Sequence, residues 1–243
     1  MKKEYWIILI VYIAMQLSSL FGVPLVLFIG GAFGQNPENM QILAVAYWLV
    51  FSFTITLIIT LLLLRKEMKR GLERDASSAA SSVGWAIGGI FLALIAQATA
   101  ASIENMIGIE MGSENTQQII RIIEASPIVI LISSVVGPIL EEIVFRKVIF
   151  GSLHKRFNFF VSALISSVIF ALAHFEPEHI LLYSAMGFTF AFLYVKTKRI
   201  IVPIFAHVSM NTLVALIQLN QENLEKWMKE MENIQSFISL IAA

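Results

Sequence analysis

The sequence predicts an all-α fold: a polytopic membrane bundle of about seven crossing helices, followed by an amphipathic helix at the C-terminus. Three observations carry this prediction: the composition, the run of apolar segments, and the alternation of basic residues from loop to loop. Hydrophobic residues make up 58% of the 243-residue chain and charged residues only 14%, where a soluble domain carries about 25% charge. The formal net charge is zero, from 17 basic and 17 acidic residues, so no basic field marks a nucleic-acid partner. The absence of cysteine removes disulfides, thiolate metal ligands and a cysteine nucleophile.

A crossing helix needs about 20 apolar residues. Segments near 5–30, 41–64, 83–102, 127–150, 159–175, 179–195 and 200–219 qualify, the fifth and sixth being the shortest. Polar or turn-rich pieces separate them: Gly34 to Glu38, Arg65 to Ser82, Ile103 to Ser126, Gly151 to Asn158, Glu176-Pro177-Glu178, and Lys196 to Arg199. The chain thus divides into N-terminal membrane helices over 1–126, a motif-bearing core over 127–219, and a C-terminal segment over 220–243. The first apolar run is longer than a secretory signal requires, and its retention as a span is expected.

Basic residues set the direction. Lys2 and Lys3, then Arg65, Lys66, Lys69, Arg70 and Arg74, then Lys147, Lys155 and Arg156, then Lys196, Lys198 and Arg199 fall on one side, 13 of the 17 basic residues. Only Arg121, Lys226 and Lys229 fall on the other. The expectation is a multi-pass protein of the cell membrane with its N-terminus in the cytoplasm and its C-terminus outside. Beyond the last span, Leu224, Trp227, Met228, Met231 and Ile234 recur at helical spacing, with Glu225, Lys226, Lys229 and Glu230 between them. That pattern lies along a membrane surface and anchors without chemistry.

Ionisable groups within spans are expensive, at about 2.5–3.5 kcal/mol each on insertion scales. Here they concentrate in the second half. The fourth span holds Glu141, Glu142 and Arg146, the fifth ends in Phe170-Ala171-Leu172-Ala173-His174, and the seventh carries His207 and Asn211. Glu142 and Arg146 are four apart and share a helix face, so they pair. Glu141 is turned about 100° from Glu142 and about 140° from Arg146, and is left free for chemistry. Pro138 has no N–H to give the carbonyl of Ser134 and opens the helix one turn before the glutamates. At 1.5 Å per residue, Glu141 lies about 14 Å from the cytoplasmic end, His207 about 10 Å, Asn211 about 16 Å and His174 about 20 Å, so a common level is expected. His154, beside Lys155 and Arg156, and His179, at an outer turn, are expected to titrate in water.

No serine stands in a nucleophile motif, and no His-Glu-x-x-His helix marks a zinc peptidase. A carboxylate and a histidine remain that can activate water, with a histidine and an amide to meet an oxyanion. In order and spacing, Glu141-Glu142-x-x-x-Arg146, Phe170-x-x-x-His174 and His207-x-x-x-Asn211 resemble the motifs of the CPBP intramembrane peptidases, also called the CAAX-protease or Abi family. The resemblance covers about residues 127–219. It implies an intramembrane endopeptidase acting on a membrane-associated peptide or protein. It implies Glu141 as water-activating base assisted by His174, His207 and Asn211 as oxyanion partners, and Glu142, Arg146 and Phe170 as support. The family carries a metalloprotease description too, and zinc would draw on Glu141, His174 and His207. The metal-free reading, with no cofactor, is preferred, because the same three groups serve poorly as base and ligand set together. A catalytically idle immunity or scaffold protein and a proton-coupled transporter are the alternatives at this stage.

Overall fold

The computed structural model describes residues 1–71, 75–221 and 223–231. Arg74, Ile234 and the tail to Ala243 therefore lie outside the described residues. Every regular element among the described residues is helical. Helices α1 (Lys3–Ala32), α2 (Pro37–Met68) and α3 (Ala79–Met106) come first, followed by the short α4 (Glu114–Ala125). A continuous helix over 129–153 is α5; then come α6 (Phe159–Leu172), α7 (Ile180–Thr197), entered through a 3-10 turn at Pro177–His179, and α8 (Ile201–Leu219). Residues 223–231 continue as helix, with Trp227 and Met228 exposed. Several starts are written locally. Asn36, Ser78, Ser113 and Asn158 each accept a hydrogen bond from an N–H of the first turn that follows, satisfying donors the helix itself cannot.

Among the described residues five helices are long and apolar enough to cross a membrane: Lys3–Ala32, Met40–Met68, Ala79–Met106, Pro177–Thr197 and Ile201–Leu219. The two remaining expected crossings differ. Expected segment 159–175 is a helix of only 14 residues. Expected segment 127–150 is α5, which carries Glu141, Glu142 and Arg146 and passes twice into wider π-helical winding, over Ile132–Val136 and Glu142–Phe150. Pro138 sits between these stretches. The missing N–H is thus accommodated by loosened winding on both sides, a feature frequent where helices carry function.

The stretch Ile103 to Ser126, expected as a connector, contains α4. Its isoleucines pack into a small core in which Ile119, Ile120 and Ile123 meet Ala46 of α2, Val129 of α5 and Leu219 of α8. A hydropathy window averages these isoleucines with their polar neighbours. The periodicity and the Ser113 cap were the available signals.

Polar contacts gather at the two ends of the bundle. At one end Glu67 of α2 binds Lys2, Lys147 of α5 at 3.2 Å and the Tyr5 hydroxyl at 3.1 Å. There too Ser77 is tied to the α7–α8 turn, donating to the Thr197 carbonyl at 3.0 Å and accepting from Arg199 Nε at 2.8 Å. At the other end α3 and α4 meet the start of α7, described below. Between the ends α5 is central. Its Phe145 touches Tyr12 of α1 and Phe170 of α6 at ring distances of 5.8 and 5.1 Å, and its carbonyl accepts from Ser166 of α6 at 2.8 Å. Close packing of α6 on α7 depends on Gly187, where an added Cβ would come within 3.0 Å of the Ser167 backbone.

Candidate active site

The α5 glutamates occupy different environments, as their angular separation requires. Glu142 is fully buried and its Oε2 lies 3.1 Å from Arg146 Nε, which is equally buried. The contact is one of charge rather than an aligned hydrogen bond, since both atoms fall short of hydrogen-bond geometry. Aromatic faces complete the guanidinium's surroundings: Phe170 at 4.4 Å, Phe190 at 5.3 Å and Phe145 at 6.0 Å from its central carbon. Such cation–π contacts are worth about 2 kcal/mol when desolvated. They offset part of the large penalty of burying a charge. Glu141, by contrast, keeps 20% of its side chain exposed.

His207 of α8 joins the two carboxylates. Its Nδ1–H donates to Glu142 Oε1 at 2.9 Å, and its Nε2 lies 3.7 Å from Glu141 Oε2. The second distance is too long for a direct hydrogen bond. One face of the imidazole lies on Phe190, at 4.5 Å between centroids and 20° between planes. Asn211 follows one turn along α8 and is half-buried.

His174 owes its pose to the end of α6. The helix stops at Leu172, and the His174 N–H reaches the carbonyl of Ala171 rather than that of Phe170. The His174 ring takes over, donating from Nδ1 to the Phe170 carbonyl at 2.8 Å. A histidine four residues after Phe170 therefore caps a carbonyl that the helix leaves open, and its tautomer is set with Nε2 free. The two rings meet edge-on at 4.6 Å. The other side of His174 stacks on Tyr183 of α7 at 3.9 Å and 23°. His174 lies within electrostatic reach of both Glu141 and His207.

Glu141, Glu142, Arg146, Phe170, His174 and His207 thus stand together. Tyr12 of α1, with no sequence motif to mark it, lies within electrostatic reach of Glu141 and Arg146. Among the described residues no three His, Cys, Asp or Glu side chains converge as a metal ion requires.

His179 departs from expectation. It is buried, with Nδ1 2.9 Å from Glu104 Oε2 of α3 and Nε2 2.9 Å from the Gly112 carbonyl. Glu104 also accepts from the Leu182 N–H at 2.9 Å, capping the start of α7 from a neighbouring helix. Beside it Glu176 accepts from the Asn115 N–H in the first turn of α4 and from Ser113 Oγ, both at 2.8 Å, and from the Tyr183 hydroxyl. Burial works against the Glu176 charge, but these donors and the nearby His179 outweigh it and hold the carboxyl below its ordinary value. The turn that separates His174 from Glu176 runs through Phe175, a left-handed residue at φ 59°.

Residues 123–213, a range that contains every site residue named above except Tyr12, match the family described as Type II CAAX prenyl endopeptidase Rce1-like. YdiL of Bacillus subtilis (strain 168), named as a membrane peptidase, is 50% identical over 221 residues, covering 90% of this chain and 91% of that one. The membrane-embedded CAAX protease MroQ of Staphylococcus aureus (strain USA300) is 41% identical over 152 residues, covering 59% of this chain and 62% of its own. No solved structure matches. The motifs, the helices that carry them and these relatives agree: the chain is a multi-pass membrane peptidase and belongs to the Rce1-like type II CAAX prenyl endopeptidase family.

Proposed function

We propose that the protein hydrolyses a peptide bond of a membrane-associated peptide or protein without a metal, with Glu141 as general base. The observation that carries this reading is the contrast between the glutamates. Glu142 is sealed between Arg146 and His207, while Glu141 is partly exposed and stands 3.7 Å from a histidine nitrogen. A water held by Glu141 and the free Nε2 of His174 attacks the scissile carbonyl carbon, and its proton passes to Glu141. The carbonyl oxygen, now negative, accepts from the Nε2–H of a doubly protonated His207 and from the amide N–H of Asn211, a type of contact worth about 3–4 kcal/mol. Collapse breaks the C–N bond, and the proton on Glu141 goes to the departing amine. Glu142, Arg146 and Phe170 hold His207 and His174 in place.

We place the N-terminus in the cytoplasm and the C-terminus outside, in the cell membrane, because 13 of the 17 basic residues lie in the loops of one side. The test of the function compares new peptide termini in membranes of cells producing the wild-type chain or Glu141→Gln. Termini that depend on Glu141 are expected. Identical sets from both would overturn the reading. Purified protein that cleaves such a substrate is expected to keep its activity after a strong chelator, whereas loss on chelation and recovery with zinc alone would restore the metal account.

A further inference from the structure

Two histidines have their Nδ1 atoms committed to fixed acceptors, His174 to the Phe170 carbonyl and His207 to Glu142. One hydrogen bond fixes the position of an imidazole but leaves the ring free to swing about it. In both cases the ring face is held as well, and by the same helix. Tyr183 stacks on His174 at 3.9 Å and 23°, and Phe190 stacks on His207 at 4.5 Å and 20°. The two aromatics are seven residues apart on α7, two turns, and so present from one face. Phe190 is fully buried and Tyr183 nearly so.

We infer that Tyr183 and Phe190 are positioning residues, a pair of aromatic platforms on α7 that fix the ring planes of His174 and His207 and aim their free Nε2 atoms at the reacting groups. The inference rests on the peptidase reading for its catalytic consequence, although the platforms themselves do not. Tyr183 has a second anchor. Its hydroxyl donates to Glu176, and Glu176 accepts in turn from Ser113 and the Asn115 N–H. The plane of His174 is therefore set from the loop before α4, while Phe190 is held by packing and by the Arg146 guanidinium 5.3 Å from its centroid. Aromatic stacking of this kind is favourable because the ring quadrupoles are offset. Its value here lies in orientation, since small misplacement of a reacting group costs up to about a hundredfold in rate.

The test uses the full-length protein in lipid nanodiscs, with its histidine rings isotope-labelled and their NMR signals assigned by His174→Gln and His207→Gln. Ring currents from the platforms are expected to displace both signals upfield. Tyr183→Leu should return the His174 signal toward its unstacked position and leave that of His207, and Phe190→Leu should do the reverse. Tyr183→Phe keeps the ring and should keep the His174 displacement. In cells, the yield of Glu141-dependent termini should fall about ten- to a hundred-fold in either leucine variant and only slightly in Tyr183→Phe. Unmoved histidine signals in the leucine variants would overturn the inference. Should a leucine variant fail to fold, Tyr183→Trp and Phe190→Tyr decide the matter: retained displacement supports the platforms and its loss refutes them. Absence of any Glu141-dependent terminus would sink the peptidase reading instead, and the ring signals would still decide the positioning.

Discussion

The protein contains the same pair twice. His207 meets Glu142 and His179 meets Glu104, in each case Nδ1 to carboxylate at 2.9 Å, and in each case both partners are buried. The difference lies at the second ring nitrogen. Nε2 of His179 is closed off by the Gly112 carbonyl at 2.9 Å, so both nitrogens act as donors and the ring is saturated. Nε2 of His207 has no such acceptor and faces the partly exposed Glu141 across 3.7 Å. A buried His–Glu pair is therefore no mark of catalysis by itself. What separates a structural clasp from a candidate reactive centre is the nitrogen left unspent and the carboxylate beside it.

That contrast breaks in measurable ways. The largest stability effect is expected for Glu142→Gln, which strands the buried Arg146 guanidinium without its counter-charge and should lose about 3–5 kcal/mol. A melting temperature matching wild type would show that the aromatic cage alone holds Arg146. A smaller effect is expected at the clasp. Glu104→Leu deprives His179 and the Leu182 N–H of an acceptor and should lose about 1–3 kcal/mol, while the folded fraction keeps wild-type turnover. Lost turnover at full folding would move the second pair into the chemistry. Smaller still is the acid response of Glu176. Its carboxyl is depressed in the folded state, so its contribution is fully present above the ordinary carboxylate value and fades as pH falls through the lower folded one. Hydrogen exchange of α4 should accelerate across that window before the central helices respond, and an unchanged rate would count against Glu176 as the clamp on α4.

The same contrast explains what could be read without the structure. Pairing of Glu142 with Arg146 is local, four residues along one helix, and the geometry of a helix determines it. The Phe170 to His174 spacing is local as well, since the ring caps the carbonyl of the residue four before it. Bonds between distant helices leave no such trace. His207 reaches Glu142 across 65 positions and His179 reaches Glu104 across 75. The sequence alone therefore places His179 in water, because the outer turn Glu176-Pro177-Glu178 looks exposed until the end of α3 arrives beside it. Tyr12, Tyr183 and Phe190 escaped for the same reason: each is an aromatic in an apolar run, and only packing distinguishes it from its neighbours. Helix α4 was hidden differently, by an average that blends one apolar face with one polar face.

The central claim is the division of labour between Glu141 and Glu142, and turnover per folded molecule measured beside melting temperature tests it most directly. Glu141→Gln should lower turnover by about 10²–10⁴-fold with the melting temperature unchanged, and Glu142→Gln should lower the melting temperature first and turnover with it. Equal and purely catalytic losses in the two variants, at wild-type stability, would contradict the account.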